Sequence, residues 1–261
     1  MEWLIFLILG AVAGVLSGLF GIGGGLIIVP ILIYVFSVQG VSPDVLTHLA
    51  VGTSLATIIF TSINSVIAHH KHGAVQWITV FRLSVGIVIG SMIGGLTASY
   101  LTGSALQTAI GVFAIVIAFQ MLLNLKPSSE NLRSTSTPLF VGSGVIIGWG
   151  SAIFGIGGGS LTVPFLSWRG FPMKVAVATS AACGLPIAVS GALSFMWFGL
   201  SETQLPAWSL GFIYLPALVG IGITSMFFAR IGAQWAHKLD QVLLKRLFAL
   251  MLLGVGISFL L

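Results

Sequence analysis

The chain has 261 residues, of which 57% are hydrophobic and only 6% charged, with a formal net charge of +5. Soluble domains carry roughly 25% charged residues, so a water-soluble globule is excluded. The Lys and Arg residues are scattered at the ends of hydrophobic runs, a pattern that orients helices in a bilayer and argues against a nucleic-acid partner.

Uncharged stretches separate Glu2 from Asp44, Arg82 from Lys126, Arg133 from Arg169, Lys174 from Glu202 and Glu202 from Arg230. Each exceeds the ~20 residues that cross a bilayer. An all-α integral membrane protein is therefore expected, since the ~10-residue alternating segments of a transmembrane barrel are missing. The first run begins Met-Glu-Trp without a basic segment and reads as structural, not as a cleaved leader.

In chain order, Trp3 to Pro43 is an uncharged stretch of 41 residues, about twice one crossing. It holds the sequence GLFGIGGGLIIVP at 18–30, followed by helix-length runs near 45–68, 77–101 and 104–125. The polar segment KPSSENLRSTSTP at 126–138 reads as a linker. The uncharged stretch from Ser134 to Trp168 spans 35 residues and holds AIFGIGGGSLTVP at 152–164, before runs near 175–199, 205–230 and 240–261. That makes eight to ten hydrophobic segments.

The two glycine motifs mark an internal repeat. LAVGTSLA at 49–56 matches VAVATSAA at 175–182, which pairs Thr53 and Ser54 with Thr179 and Ser180. The expected organisation is a first transmembrane repeat over 1–125, a cytoplasmic linker over 126–138 and a second repeat over 139–261. Four crossings per half would put Lys71, Lys126 and Arg133 on the opposite side from Arg169, Lys174, Arg230 and Lys238, against the positive-inside rule. If each glycine-bearing run instead enters, breaks and returns, each half is a broken helix hairpin followed by three transmembrane helices. The halves are then inverted, all ten Lys and Arg residues share the cytoplasmic face, and both termini lie outside.

Irregular backbone inside a bilayer survives only where protein buries it or where it lines a wet cavity. Consecutive glycines can aim several N–H groups inward as an anion nest, and the helix that follows adds the positive end of its dipole. Gly21, Gly23, Gly24 and Gly25 in the first half, and Gly155, Gly157, Gly158 and Gly159 in the second, are therefore the candidate binding residues. Thr53, Ser54, Thr179 and Ser180 join them as hydroxyl donors. Matched breaks in two inverted halves point to a transporter site. Gly14, Gly18, Gly86, Gly90 and Gly94 read as packing glycines. No dinucleotide fingerprint or P-loop is present, because neither glycine run has the required following residues.

Other residues carry less. His69, His70, Lys71 and His72 read as an interfacial basic cluster, and Arg82 as a side chain that snorkels to the surface. Asn64 and Gln120 are left open between interhelical bonds and pore lining. Cys183 is the only cysteine, which excludes an intramolecular disulfide. A membrane sulfur-transfer or enzyme-like protein using Cys183 is the alternative function, although no charged residue or His lies within eight positions of it. No catalytic residue, metal site or cofactor is expected.

The doubled FGIGGG motif with its following Val-Pro, together with AVGTS and AVATS, is similar over essentially the whole chain to the sulfite exporter TauE/SafE family. The resemblance implies a multi-pass protein of a bacterial or archaeal plasma (inner) membrane that exports a small anion such as sulfite, sulfoacetate or another organosulfonate. Its partners would be that anion and the lipid bilayer, and a homo-oligomer is compatible with it. The carboxylates all lie near segment ends, leaving His48 as the one titratable relay candidate on the outer side.

Overall fold

A computed structural model describes residues 2–20, 24–71, 73–123, 136–236 and 241–260. These form ten helices: α1 (Glu2–Phe20), α2 (Gly25–Val38), α3 (Pro43–Lys71), α4 (Trp77–Tyr100), α5 (Gly103–Leu122), α6 (Thr137–Phe154), α7 (Gly159–Trp168), α8 (Met173–Gly199), α9 (Leu215–Ala236) and α10 (Gln241–Leu260). The described residues hold no strand, only an isolated bridge between Ser209 and Tyr214. Five helices, α3, α4, α5, α6 and α8, are long and apolar enough to cross a membrane, and four shorter apolar stretches accompany them. Lipid cannot pair with backbone N–H and C=O groups, so apolar chain in a bilayer satisfies them within helices.

The two halves pack with the same pairings. Contact of α1 with α9 is matched by α6 with α4, α2 with α3 by α7 with α8, and α4 with α8 by α9 with α3, while α3 with α8 and α5 with α10 are their own counterparts. Direction follows from residue contacts. Gly52 meets Phe195, Gly191 meets Leu55 and Gly184 meets Ser62, so α3 and α8 run antiparallel. Gly86 meets Val141 and Gly94 meets Trp149, so α4 and α6 run parallel, as do α1 and α9 through Phe6 with Gly220 and Gly14 with Ser225. Corresponding helices that run in opposite directions mean that the repeats are inverted.

These directions also fix which ends share a side. The N-terminal end of α1, the α2–α3 connection and the C-terminal end of α10 lie on one face, with Asp44 and Glu202. Lys71, Arg82, Arg169, Lys174, Arg230, Lys245 and Arg246 lie at or within about two turns of helix ends on the other. Lys126, Arg133 and Lys238 fall outside the described residues. Each glycine-bearing run thus enters and returns to the side it came from. α2, with 14 residues, and α7, with 10, are half-helices. At ~1.5 Å per residue they are about 21 and 15 Å long, against a ~30 Å hydrocarbon core.

One run departs from the sequence reading. The segment expected over 205–230 becomes helical only at Leu215, and residues 200–214 fold back along the end of α8. Pro206 offers no N–H and holds its predecessor extended, and Gly211 adopts φ 55 with its backbone against Met196. The segment is apolar because Phe212, Ile213 and Tyr214 are buried among the helices, not because it spans the membrane. At the linker, Thr137 and Pro138 already form the first turn of α6.

Small residues bring the long helices together. A Cβ at Gly86 would strike the Val141 carbonyl, one at Gly90 the Val145 carbonyl and one at Gly148 the Ile87 carbonyl, while Gly10 and Gly14 face Ile221 and Ser225 the same way. Gly94 faces the Trp149 backbone; the surroundings of Gly18 lie outside the description. Close backbone approach is the main cohesion available between helices in lipid, where burial of apolar surface drives nothing. Gly90→Leu should therefore cost at least the ~1–3 kcal/mol of an overpacked core and lower the unfolding temperature of purified protein in detergent. An unchanged melting profile would show that the α4–α6 contact is not close.

Candidate functional site

The α6 helix ends where Gly155 turns left-handed, φ 63, and the Ile156 N–H reaches back to the Ser151 carbonyl at 3.0 Å. This glycine closure satisfies the last carbonyls of the helix. The chain then runs through Gly157 and Gly158 into α7, whose first helical bond is Thr162 N–H to the Gly158 carbonyl, 2.8 Å. The N–H groups of Gly159, Ser160 and Leu161 find no backbone acceptor among the described residues, as expected of a helix's first turn. Pro164, lacking an N–H, also leaves the Ser160 carbonyl without its helical donor; Pro30 does the same for Leu26 in α2.

The loops of the two halves meet. The Cβ position of Gly25 lies 2.7 Å from Ile156 Cα and against the Gly155 carbonyl, and the Gly155 position touches Val29 and Val51. Both contacts fall at mid-length of the structure, since Gly25 also faces Ile58 of α3 and Gly158 faces Ser180 and Gly184 of α8. Of the first loop, Gly24 turns left-handed, φ 77, and starts α2, while Gly21 and Gly23 lie outside the described residues.

Four hydroxyl residues predicted as donors are all buried, and three have assigned partners. Ser54 Oγ donates to the Gly155 carbonyl at 2.9 Å, fastening α3 of the first half to the loop of the second. Thr53 Oγ1 accepts the Tyr214 N–H at 2.9 Å, and Thr179 Oγ1 accepts the Gln76 N–H at 3.1 Å. Each threonine thus receives the last N–H before a helix of the other half, α9 or α4. Its hydroxyl proton remains for a further partner. Ser180 Oγ is buried without a partner.

Three residues at this site were missed by sequence reasoning. Thr162 Oγ1 and Ser160 Oγ are buried and unpartnered, and Ser62 Oγ of α3 lies 3.1 Å from the Cβ position of Gly184. For two of them a signal lay in the difference between GGGSLTVP and GGGLIIVP: Ser160 and Thr162 stand where the first loop has Leu26 and Ile28.

Cys183 is fully buried, which suits a small hydrophobe. His48 is buried, its Nε2 2.9 Å from the Ala98 carbonyl and its ring stacked on Phe212. His70 accepts the Trp77 indole N–H at 3.2 Å, and His72 lies outside the described residues. Asn64 has a buried amide nitrogen without a partner. No cluster of His, Cys, Asp or Glu suited to a metal occurs among the described residues.

The two threonine contacts predict a stability effect. Thr53→Val leaves the buried Tyr214 N–H without this acceptor, and Thr179→Val does the same at Gln76. Each should cost about 1–3 kcal/mol, read as a lower unfolding temperature in detergent. Thr53→Ser and Thr179→Ser should restore most of the loss, whereas valine variants as stable as the parent would remove the contacts from the account.

Comparison with known proteins accords with this architecture. The family model described as Sulfite exporter TauE/SafE matches residues 6–259. A "Probable membrane transporter protein" of Haemophilus influenzae is 40% identical, covering 98% of this chain and 97% of its own. Similarly named proteins of Methanocaldococcus jannaschii and Bacillus subtilis are 28% and 29% identical, each over 98% of this chain. No solved structure matches the chain. With its inverted helical halves, doubled glycine breaks and full-length match, this multi-pass membrane protein belongs to the sulfite exporter TauE/SafE family.

Proposed function

We propose that this membrane transporter carries a small oxyanion, of the sulfite, sulfoacetate or organosulfonate type, out across the plasma membrane. The observation that carries the reading is the meeting of two half-helix starts at mid-depth, where Gly25 packs on Gly155 and Ile156. First-turn N–H groups and helix dipoles favour an anion there, and broken helices in inverted halves suit alternating access. The residues proposed to bind are those of the two loops, Gly21 to Gly25 and Gly155 to Gly159, with Thr53, Ser54, Thr179 and Ser180 nearby. The name of the family supports sulfite as the first anion to test.

The grouping of cations on one face supports a cytoplasmic location for it by the positive-inside rule, so that both termini face outward. Tags at Met1 and Leu261 should accordingly be reached by membrane-impermeant reagents in intact cells. Labelling only after permeabilisation would reverse the orientation.

Efflux is proposed to be electrogenic and uncoupled. Proton-coupled carriers keep a titratable relay in the bilayer, and the carboxylates of this chain lie near helix ends. An inside-negative potential drives an anion outward by about 2.3 kcal/mol per charge per 100 mV. Liposomes loaded with sulfite and held inside-negative should therefore release it faster, without a pH or sodium gradient. Release that follows an imposed pH gradient and ignores voltage would contradict this and direct attention to His48, whose Nδ1 has no partner.

A further inference from the structure

We infer that the anion is held by the loop of the second repeat alone, with the Thr162 and Ser62 hydroxyls as specificity-determining donors and one ligand per chain. This rests on the anion-transport reading above and narrows it from two equivalent loops to one.

The inference starts from a broken symmetry. Thr162, fully buried, and Ser180, 1% exposed, both carry hydroxyl oxygens with no partner. An unpaired buried hydroxyl costs roughly as much as a lost hydrogen bond, so two residues that carry one and both border Gly158, Thr162 by its Oγ1 and Ser180 by its carbonyl, mark where a polar ligand belongs. Thr162 Oγ1 lies 3.3 Å from the Cβ position of Gly158, and Ser62 Oγ 3.1 Å from that of Gly184, which in turn is 3.7 Å from the Gly158 N. Thr162 of α7 therefore faces Gly158, immediately before the first turn of α7, and Ser62 of α3 faces the adjacent Gly184 of α8. Ser160, also buried and unpartnered, belongs to that turn.

The corresponding place in the first repeat has none of this. Ile28 and Leu26 replace Thr162 and Ser160, and Ala188 stands where the repeat register puts the counterpart of Ser62. Ser54, the counterpart of Ser180, spends its hydroxyl on the Gly155 carbonyl. The backbone differs as well: Gly24 is left-handed, φ 77, where Gly158 is right-handed, φ −58. The start of α2 is an apolar brace and the loop before α7 a polar seat. With hydroxyl and N–H donors and no charged side chain in the set, the seat suits a compact anion whose oxygens only accept hydrogen bonds, and it discriminates by geometry.

Sulfite and sulfoacetate binding to the purified full chain in nanodiscs, with liposome efflux of the same anions, tests the inference. One anion per chain is expected. Thr162→Val and Ser62→Ala should each weaken binding at least about tenfold, the smaller end for a hydrogen bond to a charged group. Thr162→Ser should bind as the parent does. Ser225→Ala, which removes a buried hydroxyl bonded within its own helix to the Gly222 carbonyl, should change nothing. If Thr162→Val fails to fold, Ser62→Ala decides. Two anions per chain, or parental affinity in the folded variants, would overturn the single seat while leaving transport intact. A parent protein that neither binds nor releases either anion would instead overturn the transport reading on which the single seat depends.

Discussion

A backbone that leaves its helix inside a bilayer must be covered by protein or line a wet cavity, because hydrocarbon offers no partner to its N–H and C=O groups. In this chain the break between α6 and α7 meets the start of α2 midway along α3 and α8, and each is covered by the other half. Gly25 packs on the Gly155–Ile156 backbone, Ser54 of α3 caps the Gly155 carbonyl, and Gly158 lies against α8 with Ser62 of α3 facing Gly184. Inversion makes the mutual cover geometrically simple, since antiparallel α3 and α8 cross at the level where both half-helices begin.

The same economy shapes the periphery. Glycines on α4 and α6, and on α1 with α9, let backbones touch without side chains between them. Their outward faces expose Ile78, Phe81, Ile146 and Phe227, side chains suited to lipid. The threonines of the repeated motif tie these outer helices to the centre, because Thr53 and Thr179 each hold the N–H just ahead of an outer helix of the opposite half. Motion of an outer helix is thereby linked to α3 or α8, and so to the walls of the glycine loops.

Much of this was legible in the sequence for a physical reason. A doubled FGIGGG in an apolar run conflicts with a continuous helix, and the distribution of ten cations admits few topologies. What could not be read was how symmetry fails. Ser160 and Thr162 looked like ordinary substitutions for Leu26 and Ile28 until their hydroxyls proved buried and unpartnered beside Gly158. Ser62 gave no signal at all, since α3 carries several other hydroxyls and only the crossing with α8 selects one. Residues 205–214 misled because hydropathy cannot separate chain buried by helices from chain buried by lipid.

The crossing of α3 and α8 carries the account, and disulfide cross-linking in native membranes tests it most directly. In a Cys183→Ala background, one variant would carry Leu55→Cys with Gly191→Cys and another Ser62→Cys with Gly184→Cys, with a protease site placed between the repeats to report the bond. Antiparallel helices crossing at mid-depth predict that both pairs oxidise, while the exchanged pairs, 55 with 184 and 62 with 191, do not. Efficient cross-linking of the exchanged pairs instead would mean parallel helices, and with them the loss of both the inversion and the shared site.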